Sequence, residues 1–225
     1  MSRDTRVKIC GVTALADALL AARAGADMLG LNFFPDSPRY LLPVQAADIC
    51  ATLRAELAGN CPVLVGVFVN EAPQRMAAIC AQVGLDGAQL SGDETPDDLR
   101  SPQLAGLHAF KSLRPRSVAG AQEQARRYCM SPNCAEELPA LLLDAWHPDL
   151  YGGSGVQASE DVARTLIDQV PRLMLAGGLN PVNVGERVRA LQPWGVDVAS
   201  GVERAPGVKD AGKLRAFIAA AKGLT

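Results

Sequence analysis

Short apolar runs alternate with longer stretches of helical periodicity along the whole chain. The apolar runs predict strands near residues 6–10, 27–33, 62–69, 86–90, 106–111, 139–144, 172–176 and 196–199. Alanine-rich amphipathic segments between them predict helices over 14–23, 46–57, 73–83, 94–99, 118–128, 159–167, 182–191 and 209–221. The strand runs are almost continuously apolar, which is typical of parallel strands that helices cover on both faces.

A Gly-x-Asp triplet recurs where a helical pattern gives way to a strand, at residues 25–27, 84–86 and 195–197. Glycine after a helix adopts the left-handed conformation at little cost, so each of these glycines is predicted to end a helix. Eight strand–helix pairs in 225 residues predict an α/β fold, a closed (βα)₈ TIM barrel that forms a single domain over residues 1–225. An open Rossmann-like sheet is the alternative, although no G-x-G-x-x-G follows the first strand.

Composition and charge exclude several classes of protein. A hydrophobic content of 48% is enough to bury a large core. The net charge is −2 with acids and bases mixed, so the chain lacks the basic stripe that nucleic-acid binding requires. The longest apolar run, residues 63–69, is too short to span a bilayer. The first residues are charged and contain no apolar signal core, so we expect a cytoplasmic protein without a membrane or nucleic-acid partner.

The cysteines and histidines show no metal-binding pattern. Six cysteines occur without a C-x-x-C pair, and His108 and His147 are the two histidines. We therefore predict free thiols in a reducing compartment and no metal site. Cys50 and Cys80 fall on helical patterns and are interpreted as small core residues. His108, within an apolar strand, is likewise interpreted as a core residue.

Two side chains with acid–base chemistry stand where predicted strands end. Functional residues of (βα)₈ barrels project from the carboxyl ends of the strands, and Cys10 ends the first strand while Asp144 ends the sixth. A carboxylate directly after Leu141–Leu143 is costly unless it has a partner, which favours a functional role for Asp144. Cys10 could equally be a small buried residue. Arg39, in a proline-bounded loop, could be a solvated arginine, and Asp197 repeats the strand-start aspartates, so structure is its default interpretation.

Glycine-rich turns follow the last three predicted strands. Glycines allow backbone N–H groups to approach an anion closely. Phosphate sites after strands 7 and 8 recur in this architecture. The three turns together predict a phosphate site formed by Gly153, Gly155, Gly177, Gly178, Ser200 and Gly201.

The motifs at the strand ends together resemble the phosphoribosylanthranilate isomerase family of tryptophan biosynthesis. The resemblance covers essentially the whole chain, and its start at residues 8–11 and its late block at residues 197–203 are highly specific. It is carried by Lys8-Ile9-Cys10-Gly11-Val12-Thr13, Gly30-Leu31-Asn32-Phe33-Phe34, Ser37-Pro38-Arg39, Gly66-Val67-Phe68-Val69-Asn70, Leu143-Asp144, Gly152-Gly153-Ser154-Gly155, Leu175-Ala176-Gly177-Gly178-Leu179-Asn180-Pro181 and Asp197-Val198-Ala199-Ser200-Gly201-Val202-Glu203.

The resemblance implies an enzyme that performs an Amadori rearrangement without cofactor or metal. N-(5-phosphoribosyl)anthranilate becomes 1-(2-carboxyphenylamino)-1-deoxyribulose 5-phosphate. By motif, Asp144 is the general acid that opens the furanose ring and Cys10 is the general base that removes the C2′ proton. Arg39 is implied to bind the anthranilate carboxylate and Asp197 a sugar hydroxyl, with the glycine turns holding the phosphate. The implied partner is a phosphorylated small molecule, and the sequence is compatible with a monomer or a homodimer.

One position departs from the family pattern. In Gln89-Leu90-Ser91-Gly92, Ser91 stands where the family usually has histidine, so a role carried by that imidazole is not expected here. The nearest enzymatic alternatives are a tryptophan synthase α-type lyase and the related imidazole-nucleotide isomerase, which typically has an aspartate in place of Cys10. A catalytically silent phosphate-binding protein is disfavoured because both Cys10 and Asp144 are present.

Overall fold

The computed structural model describes residues 5–129, 137–144 and 160–224. Its main strands are β1 (Arg6–Cys10), β2 (Met28–Asn32), β3 (Val63–Phe68), β4 (Gly87–Leu90), β5 (His108–Leu113), β6 (Leu141–Leu143), β7 (Leu173–Leu175) and β8 (Gly195–Val198). The α-helices are α1 (Leu15–Arg23), α2 (Pro43–Leu57), α3 (Pro73–Val83), α4 (Pro96–Leu99), α5 (Val118–Tyr128), α6 (Glu160–Gln169), α7 (Val184–Leu191) and α8 (Ala211–Lys222). Every predicted strand and helix is present, with small differences at the ends.

The eight strands close into a barrel in chain order. All neighbouring pairs are parallel, and β8 returns to pair with β1 so that Lys8 lies opposite Asp197. This closure confirms the predicted (βα)₈ barrel and rules out the open Rossmann-like sheet. It also brings all eight carboxyl ends of the strands to one rim.

Two buried layers result from the alternation of side chains along the strands. On the outer face, Val7 and Ile9 belong to the core between the barrel and its helices. A separate cluster of apolar side chains fills the barrel interior, comprising Met28, Val65, Phe110, Leu142 and Met174 together with Leu138 and Ala176. Because this interior cluster is closely packed, polar side chains farther along the strands face the carboxyl-end rim rather than an open channel.

Two of the three predicted glycine helix ends are confirmed. Gly25 follows α1 with a φ of +97°, and Gly84 ends α3 with a φ of +73°. The prediction for Gly195 is wrong, because Gln192 ends α7 in the left-handed conformation. Gly195 instead begins β8, where a Cβ would lie 2.9 Å from Met174 Cε and 3.0 Å from a backbone oxygen of β1. Because Gly195 has no side chain, β8 can lie close to β7 and β1 at this point.

The aspartates of the triplets divide into two kinds. Asp27 and Asp86 accept hydrogen bonds at 2.8 Å from the backbone N–H groups of Val7 and Leu64 on adjacent strands. They therefore tie down the beginnings of strands, as a structural role requires. Asp197 lies within β8 and is only 8% exposed. The shared sequence pattern thus conceals a different position in the fold.

Local differences between prediction and structure have simple causes. α2 begins at Pro43 rather than at the predicted residue 46, because proline suits the first turn of a helix. His108 is exposed at the beginning of β5, so its interpretation as a core residue is wrong. A short antiparallel hairpin of β9 (Glu203–Ala205) and β10 (Val208–Lys209) was not predicted. Within the described ranges, no helix has the length and apolar character needed to cross a membrane.

Candidate active site

One cavity opens at the carboxyl ends of the barrel strands. Eight of the predicted site residues line it, namely Cys10, Arg39, Asp144, Gly177, Gly178, Asp197, Ser200 and Gly201. The other two, Gly153 and Gly155, lie outside the described residues. A second cavity of about 670 Å³ lies at the opposite end, beside Thr5 and Trp194. That end of such barrels serves stability rather than chemistry, so the carboxyl-end cavity is the candidate site.

Cys10 shares the interior face of β1 with a buried lysine. Side chains two residues apart on a strand point to the same face, and Lys8 is 0% exposed. Lys8 Nζ donates a hydrogen bond to Asp197 Oδ1 at 2.9 Å, from the position directly opposite on β8. A buried ion pair therefore lies next to the Cys10 thiol.

Gly30 provides the space in which the thiol and the ammonium group approach each other. It is the β2 residue that pairs with Cys10. A Cβ on Gly30 would lie 2.8 Å from Cys10 Sγ and 3.1 Å from Lys8 Nζ. Since a side chain there would displace at least one of these groups, glycine is required for their present arrangement.

Burial and nearby charges together set the protonation of this cluster. Burial raises the pKa of the Cys10 thiol above its ordinary value; Lys8 opposes the rise, Asp197 adds to it and Lys209 opposes it. Burial acts to lower the pKa of Lys8, but Asp197 and Cys10 outweigh it, and the pKa of Lys8 is raised. The resting site therefore favours a protonated thiol beside an ammonium group.

Asp144 follows β6 on the interior side of the barrel. Leu142, two residues earlier, belongs to the apolar interior cluster, so the alternation of the strand brings Asp144 to the rim. The backbone N–H of Asp144 donates to Leu113 O at 2.9 Å, which extends the pairing of β5 and β6. Its half-buried side chain lines the same cavity as Cys10. Cys10 on β1 and Asp144 after β6 thus line one cavity, with β7 and β8 between them in the ring.

Arg39 is held by a buried carboxylate. Its Nε and Nη2 donate to Glu203 Oε1 and Oε2 at 2.9 and 2.7 Å, which is a bidentate pair. Lys209 Nζ donates to the same carboxylate at 2.9 Å. Burial raises the pKa of Glu203, but Arg39 and Lys209 outweigh it and hold the pKa below its ordinary value. Glu203 is therefore ionised at neutral pH, and its two hydrogen bonds fix the arginine at the cavity.

The loop that carries Arg39 is anchored to the end of β2. Asn32 Nδ2 donates to Ser37 Oγ at 3.2 Å, and Asn32 Oδ1 accepts from the N–H of Phe34 at 2.8 Å. Ser37 Oγ in turn accepts from the backbone N–H of Arg39 at 3.2 Å. These hydrogen bonds fix the loop to the end of β2.

The two late glycine turns touch each other. Gly177 and Gly178 follow β7 with φ values of +85° and +63°, a conformation that side chains disfavour. A Cβ on Gly201 would overlap the carbonyl oxygen of Leu179, so the turn after β8 packs directly on the turn after β7. Asn183 Nδ2 donates to Gly178 O at 2.9 Å and fixes that peptide. The structure thus brings together two of the three predicted turns.

Several polar residues of the site were not predicted. They are Lys8, Glu203 and Lys209, which supply its ion pairs. Gln89, which the strand-end rule had indicated, and Ser91 line the wall opposite β8. The sequence contained one usable signal, because Lys8 stands two residues before Cys10 in the same strand. The Arg39–Glu203 pair joins residues 164 apart in sequence, and the Glu203–Lys209 pair depends on the unpredicted β9–β10 hairpin.

The acidic groups around the thiol are engaged by cations. Asp197 pairs with Lys8, and Glu203 pairs with Arg39 and Lys209. Across the described part of the chain, no group of three or more His, Cys, Asp or Glu side chains is arranged to hold a metal ion. The cavity thus holds a thiol and a half-buried carboxyl group beside two glycine turns.

Known proteins are similar in sequence to almost the whole of this chain. A family model for N-(5′-phosphoribosyl)anthranilate isomerase matches residues 7–220. The N-(5′-phosphoribosyl)anthranilate isomerase of Trichlorobacter lovleyi is 42% identical over 96% of this chain and 98% of its own length.

Solved structures agree with the sequence comparison. The phosphoribosyl anthranilate isomerase of Thermotoga maritima has a TM-score of 0.84 at 34% identity, over 97% of this chain and 99% of its own. A phosphoribosyl anthranilate isomerase in complex with reduced 1-(o-carboxyphenylamino)-1-deoxyribulose 5-phosphate has a TM-score of 0.79 at 32% identity, with the same shares covered. Because the family model and these relatives match nearly the full chain, the chain belongs to the N-(5′-phosphoribosyl)anthranilate isomerase family.

Proposed function

We propose that this chain converts N-(5′-phosphoribosyl)anthranilate into 1-(2-carboxyphenylamino)-1-deoxyribulose 5-phosphate, a step of tryptophan biosynthesis, with Asp144 as general acid and Cys10 as general base. The observation that carries the proposal is the single cavity into which both side chains project, next to two touching glycine turns. This arrangement suits an aldose–ketose isomerisation, which needs one acid, one base and a fixed substrate.

Asp144 acts in the first step. Its carboxyl proton goes to the furanose ring oxygen, the bond from C1′ to that oxygen breaks, and the nitrogen lone pair forms the protonated Schiff base. A free aspartate with a pKa near 3.9 is protonated in about one part per thousand at pH 7, so an acid role requires desolvation. The half-buried position of Asp144 above the apolar cluster supports this requirement.

Cys10 acts in the second step. Its thiolate removes the proton from C2′, the electron pair forms the C1′–C2′ double bond, and the nitrogen regains its lone pair. The resulting enolamine tautomerises to the ketone. The thiolate needs positive charge nearby, and Lys8 is placed to supply it.

The substrate is held at its two charged ends. The phosphate binds the turns after β7 and β8, with Gly153 and Gly155 proposed as further contributors. The anthranilate carboxylate binds Arg39, which has five N–H donors and uses only part of them for Glu203. Asp197 binds a sugar hydroxyl through the oxygen that Lys8 does not use. Binding remote from the reacting carbons positions them for proton transfer.

The cellular setting completes the proposal. Cys10, Cys50, Cys61 and Cys80 are free thiols, which supports a reducing compartment such as the cytoplasm. We propose that residues 1–225 act there as one barrel domain, without cofactor or metal, on a phosphorylated small molecule.

A direct assay tests the proposed reaction. Purified protein is incubated with freshly prepared N-(5′-phosphoribosyl)anthranilate, and the loss of substrate fluorescence is followed. The aminoaldose substrate of the related imidazole-nucleotide isomerase is assayed in parallel. Turnover of the anthranilate compound supports the proposal, whereas turnover of the imidazole compound alone would replace it.

Replacement of Arg39 by alanine should weaken substrate binding more than it slows the chemistry. A charge-assisted hydrogen bond contributes about 1.5–3 kcal/mol, so KM should rise by at least about 10-fold with a smaller fall in kcat. Arg54→Ala is the matched control, because Arg54 also pairs with a carboxylate, that of Asp86, but does not line the cavity. Steady-state kinetics of both variants provide the measurement. An unchanged KM for Arg39→Ala would show that Arg39 is only a loop arginine.

Introduction of a negative charge at Ser200 should weaken phosphate binding. Ser200 is exposed at the turn after β8 and lines the cavity, so Ser200→Asp requires no backbone change, unlike a substitution at the packed Gly201. Repulsion between like charges should raise the Kd for inorganic phosphate and KM by at least about 10-fold. Ser200→Ala, which adds no charge, is the control. Calorimetric titration that gives the same phosphate affinity for both variants would remove this turn from the phosphate site.

A further inference from the structure

One buried acceptor at the cavity has no hydrogen-bond partner among the described residues. It is the side-chain oxygen Oε1 of Gln89, in a residue that is only 5% exposed. Gln89 lines the same cavity as Cys10 and Asp144. A buried carbonyl oxygen without a partner is costly, so native proteins rarely retain one unless water or a ligand satisfies it.

The amide of Gln89 is fixed by its neighbour. Gln89 Nε2 donates to Ser91 Oγ at 3.0 Å, and Ser91 is 9% exposed. Ala88 and Leu90, on either side of Gln89, belong to the outer core, so Gln89 points into the barrel. The nitrogen end of the amide is therefore engaged within β4 and the loop that follows, while the oxygen end is left for a ligand.

The position of β4 indicates which part of the substrate meets this oxygen. In a ring of eight strands, β4 lies directly opposite β8. The proposed function puts the phosphate at β7 and β8 and the reacting carbons between Cys10 and Asp144. The cavity wall at β4 then faces the end of the sugar that carries the anthranilate. Arg39 follows β2, two strands from β4 in the ring, and lines the same cavity. The donor at that end of the sugar is the anilino N–H.

We propose that Gln89 is a further catalytic residue, whose Oε1 accepts a hydrogen bond from the substrate's anilino nitrogen and stabilises the protonated Schiff base. The proposal rests on the proposed function. When Asp144 protonates the ring oxygen and the C1′–O bond breaks, the positive charge develops on this nitrogen. Its N–H then becomes a stronger donor, so the bond to a preorganised acceptor gains strength as the intermediate forms.

The hydrogen bond also remains available in the next step. When the Cys10 thiolate takes the C2′ proton, the electron pair moves to the C1′–C2′ bond and the nitrogen becomes neutral again. The anilino N–H is retained throughout, so Gln89 accepts the same hydrogen and transfers no proton itself. Its contribution is greatest at the charged intermediate and smaller at substrate and product.

Three variants test this assignment. Gln89→Met removes the acceptor at similar side-chain length, and Gln89→Glu retains an oxygen acceptor. Gln82→Met makes the first substitution at an exposed glutamine on α3 and is the matched control. Steady-state kinetics with N-(5′-phosphoribosyl)anthranilate, calorimetric binding of a reduced product analogue and thermal unfolding are measured for each.

The expected result is a loss confined to the chemical step. Gln89→Met should lower kcat by about 10- to 100-fold while KM and analogue affinity change by less than about fivefold, and Gln89→Glu should recover most of the loss. Gln89→Met with kcat within about threefold of the parent would overturn the assignment. Equal losses in the Met and Glu variants would also overturn it, because they would indicate packing or a donor role. The parent's own turnover tests the proposed function separately, so an active parent with an unaffected Gln89→Met refutes only the role of Gln89.

Discussion

Asp144→Asn and Cys10→Ser should each lower kcat/KM by at least about 10²-fold, with the fold retained. General acid–base groups contribute about 10² to 10⁴ to the rate, and neither replacement can perform the assigned transfer. Asparagine cannot give a proton to the ring oxygen, and a serine hydroxyl is far less acidic than a thiol. Stopped-flow or steady-state fluorescence provides the rates. Because both groups act on the reacting atoms, kcat should fall more than KM rises.

Matched substitutions outside the cavity separate chemistry from folding. Asp48→Asn changes an exposed aspartate on α2, and Cys61→Ser changes a half-buried cysteine before β3. Both should keep kcat/KM within about threefold of the parent, since surface changes have small effects. Near-normal turnover by well-folded Asp144→Asn or Cys10→Ser would refute the corresponding assignment.

The fold could be predicted because its pattern is local. Strands buried on both faces must be apolar along their length, and helices between them must be amphipathic, so each element leaves its own periodicity in the sequence. The hairpin of β9 and β10 leaves no such signal. Its strands are two and three residues long, and Arg204 and Ala205 are exposed. Their pairing depends on the position of the barrel beside them.

The candidate site was predictable only in part, because many of its contacts join residues that are far apart in the sequence. Cys10 and Asp144 could be selected because strand ends meet at one rim of a barrel. That Lys8 faces Asp197 depends on the register between the first and last strands, 189 residues apart. The Gly-x-Asp repeat favoured a strand-start role for Asp197, as for Asp27 and Asp86. Only the three-dimensional structure separates the aspartate inside the barrel from the two that cap strands.

Lys8→Met should move the pH dependence of the reaction to higher pH. Burial raises the pKa of Cys10, and among the charged groups that act on it Lys8 is the strongest opposing influence. Without the ammonium group the pKa of the thiol must rise further. Since the thiolate is the base, kcat/KM rises as the thiol ionises, so its ascending limb should shift upward in pH. At pH 7 the loss should be at least about 10-fold, and it should become smaller at higher pH.

Other charged groups also act on the Cys10 thiol. Asp197 raises the pKa of Cys10, while Lys209, on β10, lowers it. Arg39, from the loop after β2, also interacts with Cys10. Only Lys8 lies beside the thiol on the same strand face, and Gly30 leaves the space between them open. We therefore expect Lys209 and Arg39 to compensate for its loss only partly.

Stability and protonation can be separated by a second substitution. Lys8→Met leaves Asp197 buried without its cation, which should lower the free energy of unfolding by about 3–5 kcal/mol. The double variant Lys8→Met/Asp197→Asn removes the unpaired charge and should recover much of that loss. In the double variant, the ascending limb of kcat/KM should lie at a higher pH than in the parent but at a lower pH than in Lys8→Met. The reason is that Asp197 acts on the pKa of Cys10 less strongly than Lys8 does.

The pH shift should be visible on the thiol itself. The rate of Cys10 alkylation by iodoacetamide, followed by peptide mass spectrometry, reports the thiolate fraction without any substrate. Cys50 and Cys80 should react slowly at every pH, because burial raises the pKa of each to about 12. If Lys8→Met shifts neither the alkylation profile nor the ascending limb of kcat/KM, the lysine serves only the packing of the barrel. A shift in both, with the double variant in between, places Lys8 as the group that makes the Cys10 thiolate accessible.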